Sequence, residues 1–361
     1  MFIESVDLHN FRNYEDLHLE FGEGAHIFYG ENAQGKTNLL EAIYMAAVNK
    51  SHRSAKDREM IRFGEDEAHI KVMAVRNDVH IRIDMHLKKD RNKGIAVNGV
   101  PLKRTRDFIG TLNAVIFSPE DLHIVKEGPS ERRRFIDTEL CQLDPIYTNS
   151  FINYRKALEE RNRLLKDLYF EPSLQDTMDV WDDQLVRFGT ELIRKREMFI
   201  NELREIILPI HDHLSGKREE LQLFYEPDIS EDAFREALRK ARDRDVKLKN
   251  TTVGPHRDDF SFILNGIDAR IYGSQGQQRT SALSLKMAEI SRVRKKTGNT
   301  PVLLLDDVFS ELDSNRQSYL LDGIQDIQTM ITCTGLDDFV SHHFQEKMVY
   351  EVKQGSVIRK E

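Results

Sequence analysis

The sequence predicts an α/β head assembled from both ends of the chain, with an α-helical arm inserted between them. Three observations carry this. A loop of the form G-x-x-x-x-G-K-[ST], residues 30–37, sits between an apolar run and a helical pattern. Near the other end, an apolar strand over 302–305 stops at Asp306-Asp307. Between them, from Ser130 to about Lys249, strand-like alternation gives way to helical patterning dense in Arg, Lys and Glu.

The elements follow in order. Residues 2–29 read as two or three strands, ending in the apolar run 25–29, and a helix is expected around 38–48 after the loop. Residues 68–87 alternate apolar and polar side chains about a turn at Asn77-Asp78, and 95–97 with 100–102 flank Asn98-Gly99, a strong hairpin signal. Residues 114–117 form a short apolar strand. Ser130 opens the helical block, which Pro145, Pro172, Pro209 and Pro227 punctuate. Strands return over 260–264 and, across Asn265-Gly266, 269–271; a helix follows near 279–296, then strands over 301–305 and 328–332. A last hairpin, 348–352 with 356–359, turns at Gln354-Gly355. The expected division is a discontinuous head, 1–129 plus 251–361, and an arm, 130–250.

Bulk properties narrow the classes. The chain has 361 residues, 39% hydrophobic and 32% charged, enough for one large domain or two modest ones. The net charge of −8 gives no global attraction to nucleic acid, so any such contact needs a local basic surface. Two cysteines, Cys141 and Cys333, exclude a disulfide scaffold and fit a reducing compartment. The N-terminus reads as strands rather than a signal peptide, and no apolar run approaches a membrane span; a cytoplasmic protein is expected.

The chemistry is concentrated in three motifs. Gly30-Glu31-Asn32-Ala33-Gln34-Gly35-Lys36-Thr37, with Asn38 behind it, is a P-loop: glycines let backbone wrap phosphates, and N–H groups at a helix N-terminus supply positive potential. Lys36 is expected to reach the β and γ phosphates of ATP, and Thr37 to ligate Mg²⁺. Asp306 is placed as the acid that supports Mg²⁺, and Asp307 as the candidate to orient or deprotonate the attacking water. Ser274-Gln275-Gly276-Gln277 opens a helix about 30 residues before Asp306 and resembles the S-G-G-Q signature of ABC-type ATPases; Ser310-Glu311-Leu312-Asp313 matches their D-loop. The fold class is therefore an ABC-type P-loop ATPase head with an inserted α-helical arm domain. In that class the signature faces a nucleotide held by a partner's P-loop, so two heads sandwich two ATPs head to tail.

The chain resembles the RecF family, bacterial recombination mediators related to SMC-type heads, over essentially its whole length. The resemblance rests on an ordered set: Asn10-Phe11-Arg12-Asn13-Tyr14, the P-loop with Asn38-Leu39-Leu40-Glu41-Ala42, and Lys50-Ser51-His52-Arg53. Phe117-Ser118-Pro119-Glu120-Asp121-Leu122, Gly128-Pro129, Arg132-Arg133-Arg134-Phe135 and Val253-Gly254-Pro255-His256-Arg257-Asp258-Asp259 continue it, with the signature and residues 305–313. It implies an ATP-dependent homodimer that binds single-stranded and duplex DNA and their junctions in gap repair. It also implies a slow, DNA-stimulated ATPase that, with RecR and RecO, helps load RecA and supports the SOS response. Two departures from the wider ABC pattern stand out. Thr332-Cys333-Thr334 occupies the place of the switch histidine, with His342 and His343 too late in the chain to substitute, and no Q-loop glutamine is evident near 117–122.

Candidate DNA-binding residues are Arg53, Lys103, Arg104, Arg132, Arg133 and Arg134; Arg106 and the basic runs at 88–93, 194–196 and 292–296 are further possibilities. Residues 132–134 have a second reading, fixing the arm to the head. His256 and Arg257 have two as well: contact with nucleotide, DNA or a partner, or a structural turn. Three other functions compete. An SMC-like structural DNA tether needs a coiled coil longer than the arm. A transporter ATPase leaves the arm unexplained, and a P-loop kinase has no use for the signature and D-loop.

Overall fold

The computed structural model describes residues 1–53, 56–104, 107–168, 170–335, 344 and 347–360, and for Pro172 the backbone only. Arg106, His342 and His343 lie outside the described residues. The chain divides into two compact units, residues 1–121 with 289–361, and residues 122–288.

The first unit opens with strands β1 (Phe2–Phe11), β2 (Tyr14–Glu20) and β3 (Ala25–Tyr29), then helix α1 (Lys36–Val48). Strands β4 (Glu67–Arg76), β5 (Val79–Lys88), β6 (Gly94–Val97), β7 (Val100–Pro101) and β8 (Ala114–Phe117) follow. The β4–β5 turn has Asn77 and Asp78 at positive φ, and the β6–β7 turn has Asn98 and Gly99 there, as hairpin chemistry requires. One sheet, in the order β2-β1-β4-β5-β6-β7, is antiparallel throughout. Alternation along β4 buries Ala68, Ile70, Val72 and Ala74 on one face and leaves His69 in solvent on the other.

The second unit contains α2 (Leu122–Lys126), α3 (Pro129–Leu143), α4 (Pro145–Asp167) and α5 (Met178–Ser215). Next come β9 (Leu221–Glu226), α6 (Phe234–Leu248), β10 (Asp259–Leu264), β11 (Ile267–Asp268) and α7 (Ala269–Tyr272). Helix α8 (Gln275–Thr297) runs across the division. The first unit then closes with β12 (Val302–Asp306), α9 (Ser314–Gly323), β13 (Thr329–Cys333), β14 (Lys347–Lys353) and β15 (Ser356–Lys360). Its second sheet has the order β15-β14-β3-β13-β12-β8, parallel from β14 to β8. Helix α1 packs between the sheets, burying Leu39, Leu40 and Ile43 in one core with Val6, Ile70, Leu304 and Met330.

The second unit departs from the sequence expectation in four ways. The block read as helical contains strand β9, which pairs antiparallel with β10. That pairing, with Phe260, Phe262 and Leu264 in the same core as Leu221, Leu223 and Phe234, places 251–288 with the helices rather than with the head as expected. Residues 269–271 are helical, capped by the Asp268 carboxylate accepting from Arg270 N–H. Pro209 lies inside α5 instead of ending it.

Buried ion pairs reinforce this unit. Arg196 donates to Asp137 (2.7 Å), Asp258 (2.8 Å) and the Pro255 carbonyl. Fully buried Arg161 bridges Asp182 and Asp245 at 2.7 Å each. Charges this deep are tolerated only with ionic partners, and these pairs set helix α4 against α5 and α6.

Candidate functional site

The phosphate loop leaves β3 at Gly30 (φ +154°) and enters α1 at Gly35 (φ +119°). A Cβ on Gly30 would lie 2.3 Å from the Val352 carbonyl oxygen, and one on Gly35 within 3 Å of the Asn13 amide, so neither position has room for a side chain. Gly35 is also the N-cap of α1 and offers no side chain to its first N–H groups. Lys36 Nζ donates to the carbonyls of Gly30 (2.5 Å) and Glu31 (2.7 Å), spanning the arc of the loop.

Two distant segments brace the loop. From the β1–β2 turn, Asn13 donates to the Gln34 carbonyl (2.8 Å) and Tyr14 to the Gly35 carbonyl (2.9 Å), while Asn38 donates to Asn13 (2.8 Å). From the β14–β15 turn, Gly355 N–H donates to the Gln34 carbonyl and Gln354 N–H to the Gln34 side chain. Behind α1, Arg12 makes a two-pronged ion pair with buried Glu41 (2.8 and 2.7 Å), to which Ser51 also donates. Arg53 is exposed and reaches Asn38 at 3.3 Å.

The acids arrive on β12, whose register sets Asp306 opposite Thr332 of β13. Asp306 Oδ1 accepts from the Thr37 and Thr332 hydroxyls, both at 2.8 Å. Thr332 Oγ1 in turn accepts from Asp307 N–H at 3.0 Å, where Asp307 holds φ +53°. Burial pushes the Asp306 carboxyl above its usual range, against the pull of the two threonines. Burial also raises Asp307, which Lys36 pulls back down, and it lowers the Lys36 ammonium. Strand β8 lies beside β12 with Phe117 opposite Leu305, so the following segment, with exposed Glu120, runs past Asp306 and adds to its raised value. Lys36, Thr37, Asp306 and Asp307 thus meet at the C-terminal edge of the parallel sheet, where α/β folds bind ligands. The hard oxygens of Thr37 and Asp306 suit Mg²⁺, and the Cβ-free, N–H-lined loop suits phosphate.

Other candidates lie elsewhere. Ser274, Gln275, Gly276 and Gln277 belong to the second unit, at the start of α8. Ser274 N–H donates to the Gln277 side chain and Ser274 Oγ accepts from Gln277 N–H, a reciprocal cap that leaves Ser274, Gln275 and Gly276 exposed. Ser310 Oγ donates to the Asp307 carbonyl (2.8 Å), tying residues 310–313, the D-loop candidate, to the acid pair. Asp313 caps α9 through Arg316 N–H.

The basic candidates divide by burial. Lys103, Arg104 and Arg134 are exposed. Arg132 is 2% exposed and grips Asp259 with two bonds (2.6 and 2.9 Å), so its assignment to DNA is corrected: it locks α3 to β10. Arg133 is half-buried and donates to the Asp258 carbonyl (2.7 Å), which withdraws much of it from solvent. Arg196 and Arg292 are buried as well. His256 resolves as a structural residue: Tyr154 OH lies 2.7 Å from Nδ1 and the Thr251 carbonyl 3.0 Å from Nε2, and burial lowers its pKa to about 4. Arg257 remains exposed.

The sequence marks Thr332 only as standing where a histidine is expected, Asn13 and Tyr14 only within the family resemblance, and Gln354 only as a hairpin turn. A hydroxyl one strand away from an acid has no signature along the chain; the order of the strands alone reveals it.

Residues 2–356 match the family described as RecF/RecN/SMC N terminal domain. The chain is 58% identical over 357 residues, 99% of both chains, to the DNA replication and repair protein RecF of Agathobacter rectalis, and 42% identical over 362 residues to that of Clostridium perfringens. Among solved structures, the recombination mediator protein RecF with ATP superposes with a TM-score of 0.93 at 35% identity, covering 100% of this chain and 98% of that one. An SMC head domain from Pyrococcus furiosus shares the fold, at a TM-score of 0.58 and 16% identity. With a phosphate loop and an acid-tipped β12 in the first unit and a capped S-x-G-Q helix start in the second, the chain belongs to the RecF family of ABC-type ATPases.

Proposed function

We propose that the protein is an ATP-gated DNA clamp of recombinational and replication-gap repair. The observation that carries this is the joint placement of Lys36, Thr37, Asp306 and Asp307 at one sheet edge, together with an exposed S-x-G-Q helix start. Lys36 and the N–H groups of residues 30–38 hold the phosphates of ATP, and Thr37 and Asp306 hold Mg²⁺. Asp307, its carboxyl raised by burial, takes the proton of the attacking water. Ser274, Gln275, Gly276 and Gln277 meet the nucleotide of a second copy, and Ser310 and Asp313 line the same contact. ATP binding favours a head-to-tail homodimer through its higher affinity for the closed state, and slow, DNA-stimulated hydrolysis releases it.

Exposed Arg53, Lys103, Arg104 and Arg134 supply phosphate contacts to single-stranded and duplex DNA and their junctions. The names of the relatives, a DNA replication and repair protein and a recombination mediator of the RecFOR pathway, support repair as the setting; RecR and RecO as co-mediators, RecA loading and SOS support as outcomes, and the cytoplasm as the location belong to the proposal through the family resemblance alone. No helix among the described residues is long and apolar enough to cross a membrane. The test is fluorescence anisotropy of a labelled gapped duplex titrated with protein, with and without Mg-ATP. Tighter binding with ATP is expected; binding indifferent to ATP refutes the clamp.

A further inference from the structure

Register places an unusual row of side chains on the solvent face of the antiparallel sheet. Asp16 lies opposite His9, His9 opposite His69, His69 opposite His86, and His86 opposite Gly94, across five strands. Directly opposed residues share a face, with Cβ atoms about 4.5–5.5 Å apart. The His69 and His86 rings stack with centroids 3.9 Å apart and planes 25° apart. Glu67, two residues before His69 on the same face of β4, has Oε2 2.9 Å from His86 Nε2. Ligand atoms of Glu67, His69 and His86 all lie within 4.8 Å of one another.

Other histidines on this sheet have ordinary partners: His9 pairs with Asp16, His18 with Asp7 and His80 with Glu4. The His69 side chain has no hydrogen-bond partner among the described residues. A neutral ring with an uncommitted lone pair is the form that binds metal. Gly94 adds no side chain over the end of the row, so the site is open to solvent.

We infer that Glu67, His69 and His86 form a binding site for a borderline transition-metal dication of the zinc class, which clips β4 to β5. Zinc–nitrogen distances of about 2.0–2.1 Å place tetrahedral ligand atoms roughly 3.4 Å apart, so the three ligand atoms must draw closer and the stacked rings must tilt apart to turn their in-plane lone pairs toward one ion. The fourth position is left for water. Two imidazoles with one carboxylate select zinc, nickel or copper over Mg²⁺, unlike the all-oxygen pair at Thr37 and Asp306. Binding breaks the Glu67–His86 hydrogen bond and frees Glu67 from Lys88, its 3.3 Å partner.

The test uses the full chain, stripped with chelator, free of nucleotide, and kept in excess Mg²⁺ to fill oxygen-donor sites. Zn²⁺ titration by calorimetry is expected to show one saturable equivalent, and Zn²⁺ to raise the melting temperature. His69→Ala and His86→Ala are expected to weaken that binding at least tenfold and remove the thermal shift. His18→Ala, on the same face one row away, is expected to leave both unchanged. Affinity equal in wild type and His69→Ala, no saturable binding, or an equal loss in His18→Ala each overturns the proposal as adventitious surface binding. His69 and His18 are exposed and His86 is half-buried, and the chelated melting curves of the variants confirm folding independently of metal.

Discussion

Replacing Thr332 by valine isolates the hydroxyl that joins the two acids. Valine keeps the shape and strand preference of threonine, so the register of β13 between β3 and β12 persists. Two bonds are lost. The hydroxyl's donation to the Asp306 carboxylate is charge-assisted, about 1.5–3 kcal/mol, and Asp307 N–H is left without its acceptor, about 1–3 kcal/mol. Thr37 still serves Asp306, so a combined loss near 3 kcal/mol is expected, or roughly 6–12 °C in the melting of a unit this size. The Asp306 carboxyl, already raised by burial, rises further once a donor that lowers it is gone. Mg-ATP binding in the variant therefore fails at a higher pH than in wild type as pH is lowered. The assay is a thermal melt together with fluorescent-nucleotide titration across pH. Thr332→Ser keeps the hydroxyl and should recover most of both effects. A Thr332→Val protein that melts within a degree of wild type and binds nucleotide equally at every pH refutes the bridging role.

Lys36→Met should abolish nucleotide binding and ATP-driven dimerisation, read by light scattering with and without ATP; full ATP-dependent dimers would contradict the loop assignment. Asp307→Asn should retain ATP binding but slow turnover by roughly 10²–10⁴-fold and prolong the dimer, and wild-type phosphate release would remove Asp307 from proton transfer. Arg132→Ala should destabilise the second unit by about 3–5 kcal/mol by leaving Asp259 without its partner, whereas Arg104→Ala should lower DNA affinity and leave melting unchanged. A selective DNA defect in a fully stable Arg132→Ala protein would restore the DNA assignment. His256 is lowered to about 4 by burial, so the unfolded chain binds its proton first. Its contribution is present above pH 6.5 and lost as pH falls toward 4, up to about 3 kcal/mol. His256→Gln should flatten that limb of the stability curve, and an unchanged acid limb would show that His256 is not buried neutral.

The sequence by itself determined whatever depends on residues close together along the chain. Gly30, Gly35, Lys36 and Thr37 declare a phosphate loop because strand, glycine turn and helix start lie within one short stretch. Asn77-Asp78, Asn98-Gly99 and Gln354-Gly355 declare their hairpins because the left-handed conformation selects those residue types. The acid pair on β12 was legible for the same reason, once its strand pattern had been read. Tertiary structure decided what depends on contacts between segments far apart in sequence. Thr332 reaches Asp306 because β13 lies beside β12, and Gly355 steadies Gln34 because β14 lies beside β3. Arg132 reads along the chain as one of three arginines open to either DNA contact or a structural tie, and pairing of β10 with β9 brings Asp259 to it and takes it out of solvent. The same pairing moved 251–288 from the expected head to the second unit. Spacing reports local geometry, but burial and partner choice are set by which surfaces meet, and no single segment carries that information.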